Sequence, residues 1–165
     1  MKLNSYNNLL ELFFDQYKNQ DKNKIFLTNL GIPQNKLSWE KTFLLVNHLS
    51  NQISKDIKLG DRCILISENR PEWLISDLAI MLAGGISVPS YTTYTTKDYE
   101  YIIKDCEPSV VIISNDAQFK KIKDILDYKN IKKIISFDRL KNLEFKNYLC
   151  IEDIINKKDN FENFD

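Results

Sequence analysis

Carboxylate side chains are the first candidates for chemistry in this sequence. Glu68, Glu72 and Asp77 lie close together, and Glu68 comes just after an apolar run that ends at Ile66. Sheets in α/β proteins place their ligands at such strand ends. Alternatively, Glu68 and Glu72 stabilise the start of the next helix through its dipole, which is the interpretation we prefer. Another acidic set is expected on a solvated helix face rather than in a metal site: Asp98, Asp105 and Glu107.

A second candidate is a segment crowded with tyrosine and threonine. It follows Pro89 and spans residues 90–96. Since Pro89 is predicted to close a strand, the segment is predicted to be a loop at a strand end. The tyrosines either line a binding surface or pack under the loop, and the sequence leaves both open. The candidate substrate or interface loop consists of Tyr91, Thr92, Thr93 and Tyr94.

The glycines do not form a phosphate-binding loop. Such loops need glycines so that backbone N–H groups can close around the anion. The chain has only Gly31, Gly60, Gly84 and Gly85, and contains neither G-x-G-x-x-G nor G-x-x-x-x-G-K-[ST]. The Gly84-Gly85 pair lies between a predicted helix and strand, where it is expected to cap the helix and let the chain turn.

Thiol chemistry is not expected. Cys63, Cys106 and Cys150 form no Cys-x-x-Cys pair, so neither a metal knuckle nor a dithiol site is indicated. Cys63 lies in an apolar run and is predicted to belong to the core. His48 is the single histidine, and we predict a surface or half-buried position for it rather than a role as a base.

Composition fits one globular domain. Hydrophobic residues make up 43% of the 165 residues, and 23 basic residues balance 23 acidic ones. No charge excess therefore points to nucleic acid or to an anionic membrane surface. The start lacks the features of a secretory signal, and the most apolar stretch, 73–88, is interrupted and too short to span a bilayer. A reduced, cytoplasmic location is expected.

The first third of the chain predicts a helix, a hairpin and a longer helix. Apolar residues recur at helical spacing over 5–17. Strands are expected over 24–29 and ending near Leu37, with a turn at Gly31-Ile32-Pro33. Ser38 is the predicted N-cap of a helix that runs to about Asp56, and Gly60 suits the left-handed turn that follows.

The middle of the chain predicts a parallel sheet. Continuous apolar runs at 63–66, 110–113 and 134–135 are typical of strands that are buried on both faces. Helices are expected at about 71–83, 96–106 and 116–127, and short strands at 86–88 and 148–151, the latter followed by a helical turn. The fold class is therefore α/β, with a layered, mainly parallel sheet and crossover helices. The predicted core includes Ile64, Leu65, Val111, Ile112 and Ile135.

Four segments carry a resemblance to a known family. They are Leu37-Ser38-Trp39-Glu40, Asn69-Arg70-Pro71-Glu72-Trp73, the run 81–89 and the run 91–102. In order and spacing the chain resembles the N-terminal part of the AMP-forming acyl-CoA synthetases, within the adenylate-forming enzymes. The last run is similar to the long-chain fatty acid branch. The resemblance implies that residues 1–155 belong to an AMP-dependent ligase domain, incomplete relative to the family domain, and that 156–165 form a polar linker or frayed end.

The resemblance also implies a reaction for the full enzyme. Fatty acid and ATP give an acyl-adenylate and pyrophosphate, and coenzyme A then displaces AMP, with Mg²⁺ on the phosphates. The family's phosphate loop, metal ligand, ribose aspartate and mobile lysine have no matching positions here. We therefore predict no catalytic, cofactor-binding or metal-binding residue and expect the chain to be inactive alone.

Three interpretations follow. In the first, the chain is an N-terminal fragment whose partners are the missing remainder and, through it, fatty acid, ATP and coenzyme A. No nucleic acid partner or transmembrane segment is expected, and peripheral membrane association of the full enzyme stays open. In the second, it is a non-catalytic module or split subunit that docks on a separately encoded catalytic part. The third is an unrelated flavodoxin-like binding domain.

Overall fold

The computed structural model describes residues 5–29 and 36–156. The predicted turn at Gly31-Ile32-Pro33 and the predicted polar end beyond residue 156 lie outside the described residues. In chain order the elements are α1 (Leu9–Asn19), β1 (Ile25–Thr28), β2 (Lys36–Ser38), α2 (Trp39–Ser54), β3 (Arg62–Ile66), α3 (Pro71–Leu82), β4 (Ile86–Ser90), α4 (Thr96–Cys106), β5 (Val110–Ile113), α5 (Asp116–Ile122), β6 (Lys133–Ser136), β7 (Tyr148–Cys150) and α6 (Ile151–Asn156).

The N-terminal helix and hairpin are fastened to α2. Strands β1 and β2 pair antiparallel, as predicted. The Ser38 side chain caps α2 by accepting a hydrogen bond of 3.2 Å from the Lys41 backbone N–H. The ring of Phe26 on β1 stacks on Trp39 in the first turn of α2, with centroids 3.8 Å apart. Helix α1 starts later than predicted because the Asn8 side chain caps it at Leu9.

The central sheet confirms the predicted parallel α/β architecture. Its five strands lie in the order β4-β3-β5-β6-β7, and every neighbouring pair is parallel. Strands β5 and β6 are buried along their whole length, which explains why their sequences are continuous apolar runs. All predicted core residues are fully buried: Ile64, Leu65, Val111, Ile112 and Ile135.

Helices cover both faces of the sheet. The face that includes Leu65 and Ile112 packs against α1, α2 and α3. The opposite face, which includes Ile64 and Val111, packs against α4 and α5. The apolar helix α3 is therefore sandwiched between the sheet and the N-terminal helices, and Leu78 at its centre is only 2% exposed.

Two further predicted bounds were wrong. Strand β4 runs through Pro89 to Ser90 instead of ending before the proline, because an edge strand tolerates a residue without an N–H. Helix α5 ends at Ile122 rather than near residue 127. A turn follows, in which the Ile125 N–H donates to the Ile122 carbonyl. The apolar pattern continues through Ile125 because that side chain packs on the same core.

The glycines serve backbone turns, as predicted. Gly60 and Gly84 have positive φ values of 85° and 84°, which only glycine adopts without strain. The Gly60 N–H donates to the Gly84 carbonyl, so the two turns are joined. At Gly85 the reason is space, since a Cβ there would lie 3.0 Å from Ile57 Cδ1.

Candidate functional site at the carboxyl end of the sheet

At the carboxyl ends of β3 and β5 the topology of the sheet changes direction, and we call this place the candidate crevice. Strand β3 leads into α3 on one face of the sheet, and its neighbour β5 leads into α5 on the other face. The two connections therefore separate at this point. Ligands of open α/β sheets bind in the crevice at such a topological switch point.

Glu68 lies in this crevice. Its Oε1 accepts hydrogen bonds from Gln118 Nε2 at 3.3 Å and from Asn115 Nδ2 at 3.5 Å. Asn115 is the N-cap of α5 and Gln118 lies in its first turn. The preferred dipole interpretation placed Glu68 at the N-terminus of α3. Its carboxylate lies instead at the N-terminus of α5. Glu72 does occupy the first turn of α3, as expected, and is 6% exposed.

Glu68 is held in its ionised form. Burial raises the pKa of the Glu68 carboxyl, but the nearby Ser114 hydroxyl, together with hydrogen bonds from its own backbone, Asn115 and Gln118, outweighs burial and leaves the pKa below the ordinary value. Within the described ranges no lysine or arginine forms an ion pair with it. The crevice therefore carries a negative charge that neutral donors stabilise.

Several polar atoms around the crevice are buried without a hydrogen-bond partner among the described residues. They are Gln118 Oε1, Ser114 Oγ and Ser90 Oγ at the end of β4. The Ser114 hydroxyl is near enough to lower the pKa of Glu68 but makes no hydrogen bond of ordinary length. Buried polar groups normally have partners, and exceptions concentrate at functional sites. The arrangement can accept hydrogen bonds from a polar ligand group.

The tyrosine loop borders the crevice, and its two rings have different environments. Tyr91 is 72% exposed, whereas Tyr94 is half-buried and packs on the core beneath α4. The rings of Tyr91 and Tyr94 meet edge to face with centroids 5.5 Å apart, and Tyr94 meets buried Tyr99 in the same way at 5.9 Å. Tyr94 thus supports the loop and Tyr91 projects from it.

Side chains of α4 and α5 donate hydrogen bonds to the backbone carbonyls of residues 91–94. The Tyr99 hydroxyl donates to the Tyr91 carbonyl at 2.7 Å. Lys121 Nζ on α5 donates to the carbonyls of Thr92 at 2.6 Å and Tyr94 at 3.4 Å. Sequence reasoning missed Lys121, because a lysine on a short helix has the same pattern whether it faces water or a distant loop. These bonds preorganise residues 91–94.

The loop ends in a capping box that opens α4. The Thr95 side chain accepts from the Asp98 N–H, and the Asp98 carboxylate accepts from the Thr95 N–H at 2.9 Å. Asp98 is therefore a helix cap, which accounts for its carboxylate without a metal.

Arg70 clamps the ends of β3 and β6 together. Its guanidinium donates to both Asp138 oxygens at 2.9 and 3.0 Å and to Glu72 at 3.3 Å, and lies 5.4 Å from the Phe137 ring centroid. Burial alone would lower the pKa of Arg70, but hydrogen bonds to Asp138 and Glu72 raise it. The guanidinium therefore stays charged and fixes the rim of the crevice through these two carboxylates.

Cys63 is buried in the core and His48 is half-buried, as their sequence context predicted. Burial and the Asp61 charge raise the pKa of the Cys63 thiol to about 12. Burial is also the main cause that raises the pKa of Cys106. His48 is half-buried, and burial and the Lys55 charge lower its pKa. A raised thiol pKa leaves little thiolate at neutral pH.

The glycine turns of the described residues have no free backbone N–H group for a phosphate. The N–H groups of Gly60, Gly84 and Gly85 donate to the carbonyls of Gly84, Met81 and Ile80, so none is left to cradle an anion. In residues 5–29 and 36–156, no group of three or more His, Cys, Asp or Glu side chains could hold a metal. Nor does any helix in those ranges have the length and apolarity to cross a membrane.

The family comparison agrees with this fold. The family described as AMP-binding enzyme matches residues 13–157, which is most of the chain. The chain therefore belongs to the AMP-binding enzyme family.

Among named relatives, the chain is similar to long-chain fatty acid–CoA ligases. The chain is 27% identical over 136 residues to Long-chain-fatty-acid--CoA ligase ACSBG1 of Rattus norvegicus, which covers 78% of this chain and 19% of the relative. It is 30% identical over 73 residues to Long-chain-fatty-acid--CoA ligase FadD15 of Mycobacterium tuberculosis, covering 44% of this chain and 12% of the relative. The chain thus spans less than a fifth of the length of these relatives.

Solved structures share the fold. Coronafacic Acid Ligase from Pectobacterium brasiliense superposes with a TM-score of 0.75 at 18% identity, covering 88% of this chain and 29% of that one. The anthranilate CoA ligase AuaEII, solved with anthranoyl-AMP, gives a TM-score of 0.69 at 22% identity, covering 83% and 27%. At these identities the likeness concerns the fold alone.

Proposed function

We propose that this chain forms the N-terminal part of a long-chain fatty acyl-CoA synthetase. The observation that carries the proposal is the similarity to a long-chain ligase across 78% of this chain. The motifs that open α2, α3 and α4 are the segments on which the resemblance to this family rests. In the structure these motifs cap helices and end strands, so their role in the synthetase is to build the first sheet and its crossovers.

The complete synthetase would join a fatty acid to coenzyme A at the expense of ATP, which becomes AMP and pyrophosphate. ATP, Mg²⁺ and coenzyme A are cofactors and substrates of that complete enzyme. This chain's own contribution is to hold a rigid sheet edge against the remainder of the polypeptide. Its sequence has no glycine-rich anion loop. The N–H groups of Gly84 and Gly85 already donate hydrogen bonds to carbonyls of α3.

Within the synthetase, the loop Tyr91–Tyr94 contacts either the substrate or the remainder of the protein. Tyr91 is exposed on a loop whose carbonyls are fixed by Tyr99 and Lys121. A rigid aromatic side chain contributes contact area at low entropic cost, which suits it to recognition. The neighbouring Glu68 crevice adds hydrogen-bond acceptors on the same edge of the sheet.

Pyrophosphate release tests whether the chain is silent alone. The 165-residue protein is incubated with ATP, Mg²⁺ and a panel of fatty acids, and acyl-CoA is then sought after addition of coenzyme A. We expect no turnover, because loss of even one preorganised donor from such a site costs about a hundredfold to a thousandfold in rate. Fatty-acid-dependent turnover by protein whose purity is verified by intact mass would overturn the proposal.

One observation favours a second candidate, a non-catalytic module or split subunit that docks on a separately encoded catalytic part. Both faces of the sheet are already covered by this chain's own helices. A unit with a covered core can fold by itself. Sedimentation and calorimetry distinguish the candidates: a monodisperse, cooperatively unfolding monomer favours the module, and an associating or non-cooperative chain favours the fragment.

A further inference from the structure

Strand β4 forms one end of the sheet. Among the described residues it has a single neighbour, β3. Pro89 is exposed on this strand, and Ile86 is 51% exposed. A flat edge strand with apolar side chains is a template for pairing with another chain unless something blocks it.

The register shows which backbone groups of β4 face outward. Ile86 lies opposite Arg62, and its N–H donates to the Asp61 carbonyl at 2.8 Å. In a parallel ladder, alternate residues direct both backbone groups to the same neighbour. Ile86, Val88 and Ser90 therefore face β3, whereas Ser87 and Pro89 face the free edge. Since proline has no N–H, Ser87 offers the only outward donor of the strand.

The opposite edge differs. At β7, Tyr148 lies opposite Ile134, whose N–H donates to the Asn147 carbonyl at 3.2 Å. By the same alternation, the outward residues of β7 are Tyr148 and Cys150, and each has an N–H. The two ends of one sheet thus differ in outward donors, although their strands are similarly short.

We propose that Pro89 closes the β4 edge to strand addition, so that any polypeptide meeting this edge contacts it through side chains and not through a shared ladder. The carbonyls of Ser87 and Pro89 still face outward and can accept hydrogen bonds. A new strand would also need an N–H donor at every outward residue of β4, and Pro89 has none. Proline in sheets is confined to such positions, where its missing N–H faces away from the neighbour. The inference depends on the register alone and is independent of the proposed function.

The test compares two substitutions that both restore an N–H at this position. Pro89→Val gives a strand-forming apolar residue, and Pro89→Lys gives the same backbone donor with a charge that guards edges. Each is compared with wild type by sedimentation velocity over a concentration series, with thermal unfolding to monitor the fold. Infrared spectra of any assembled species report intermolecular β-pairing.

We expect Pro89→Val to associate at concentrations at which wild type does not, with an intermolecular β signal, and Pro89→Lys to stay at the wild-type state. If both variants behave as wild type, Pro89 does not guard the edge. If both associate equally, loss of the proline ring rather than the new donor is responsible, and the proposal is wrong. Association of wild type with a β signal that Pro89→Lys abolishes would also overturn it.

Discussion

The amino and carboxyl ends of the sheet differ in the partners of some of their buried polar groups. At the amino end, Lys133 Nζ on β6 lies 2.6 Å from Asp56 Oδ2, and Asn147 donates to the other oxygen of Asp56 at 2.9 Å. At the carboxyl end, Gln118 and Ser114 hold buried atoms that have no partner among the described residues, and Tyr91 projects into solvent. In α/β sheets the carboxyl end is where ligands bind. The comparison is the basis of our proposal that the carboxyl end serves function, whereas the paired groups of the amino end serve stability.

The largest expected effect is at the amino end. Asp56→Ala leaves the Lys133 ammonium, whose side chain is 5% exposed, buried without its partner. Removing one partner of a buried pair costs about 3 to 5 kcal/mol, and we expect about 3 because Asp56 itself is partly exposed. Urea unfolding followed by circular dichroism measures this. The double variant Asp56→Ala, Lys133→Met should recover most of the loss; a neutral single variant would contradict the assigned role of the amino end.

An intermediate effect is expected at Glu68. Its folded-state pKa lies below the ordinary value of 4.5, so the carboxylate stabilises the fold above that pH and loses this contribution as pH falls through the lowered pKa. Glu68→Gln should cost about 1 kcal/mol at pH 7 and less at pH 3, because the contribution of the charge falls with pH. Urea unfolding at both pH values checks the sign. A cost that is independent of pH would show that the charge contributes nothing.

Substitution of Lys121 should change the local stability of residues 92–94 and leave global stability nearly unchanged. In Lys121→Met the carbonyls of Thr92 and Tyr94 lose their charged donor, and we expect amide exchange in residues 92–94 to rise about tenfold, which is about 1.4 kcal/mol of local opening. Global stability should change by less than about 0.5 kcal/mol. Exchange measured by mass spectrometry reports both.

Lys120 supplies the matched control for that experiment. Its side chain is 70% exposed and makes only a 3.8 Å ion pair with Asp116. Lys120→Met should leave the loop unchanged, and Lys121→Arg should restore much of its protection. Equal exchange in the Lys120 and Lys121 variants would remove the support that we assign to Lys121.

The sequence predicted those elements whose signals are local. The continuous apolar runs that contain Ile64 and Ile112 predicted buried parallel strands, because alternation is lost only when both faces are covered. Ser38 and Pro71 predicted helix starts correctly, since a cap and an N1 proline act on neighbouring backbone. The family resemblance, which depends on the same motifs, was confirmed.

The missed features depend on contacts between distant segments. Lys121 reaches Thr92 across 29 residues, and Glu68 reaches Gln118 across 50. A contact between residues so far apart in the sequence cannot be predicted from a local pattern. The sequence predicts that Pro89 ends a strand, but β4 continues through it because β4 lies at the edge of the sheet, which no local pattern reveals. The sequence thus predicted a loop at a strand end. It did not predict which distant side chains contact that loop or Glu68.

Tyr91 gives the most direct test of the functional role of the carboxyl end. Its exposed ring makes Tyr91→Ala nearly neutral for folding, within about 0.5 kcal/mol. The variant is placed in a reconstituted full-length synthetase, and fatty-acid-dependent kinetics and sedimentation are measured against wild type. We predict an altered KM for the acyl substrate or an altered assembly at unchanged stability. Unchanged kinetics together with unchanged assembly would contradict a functional role for this loop.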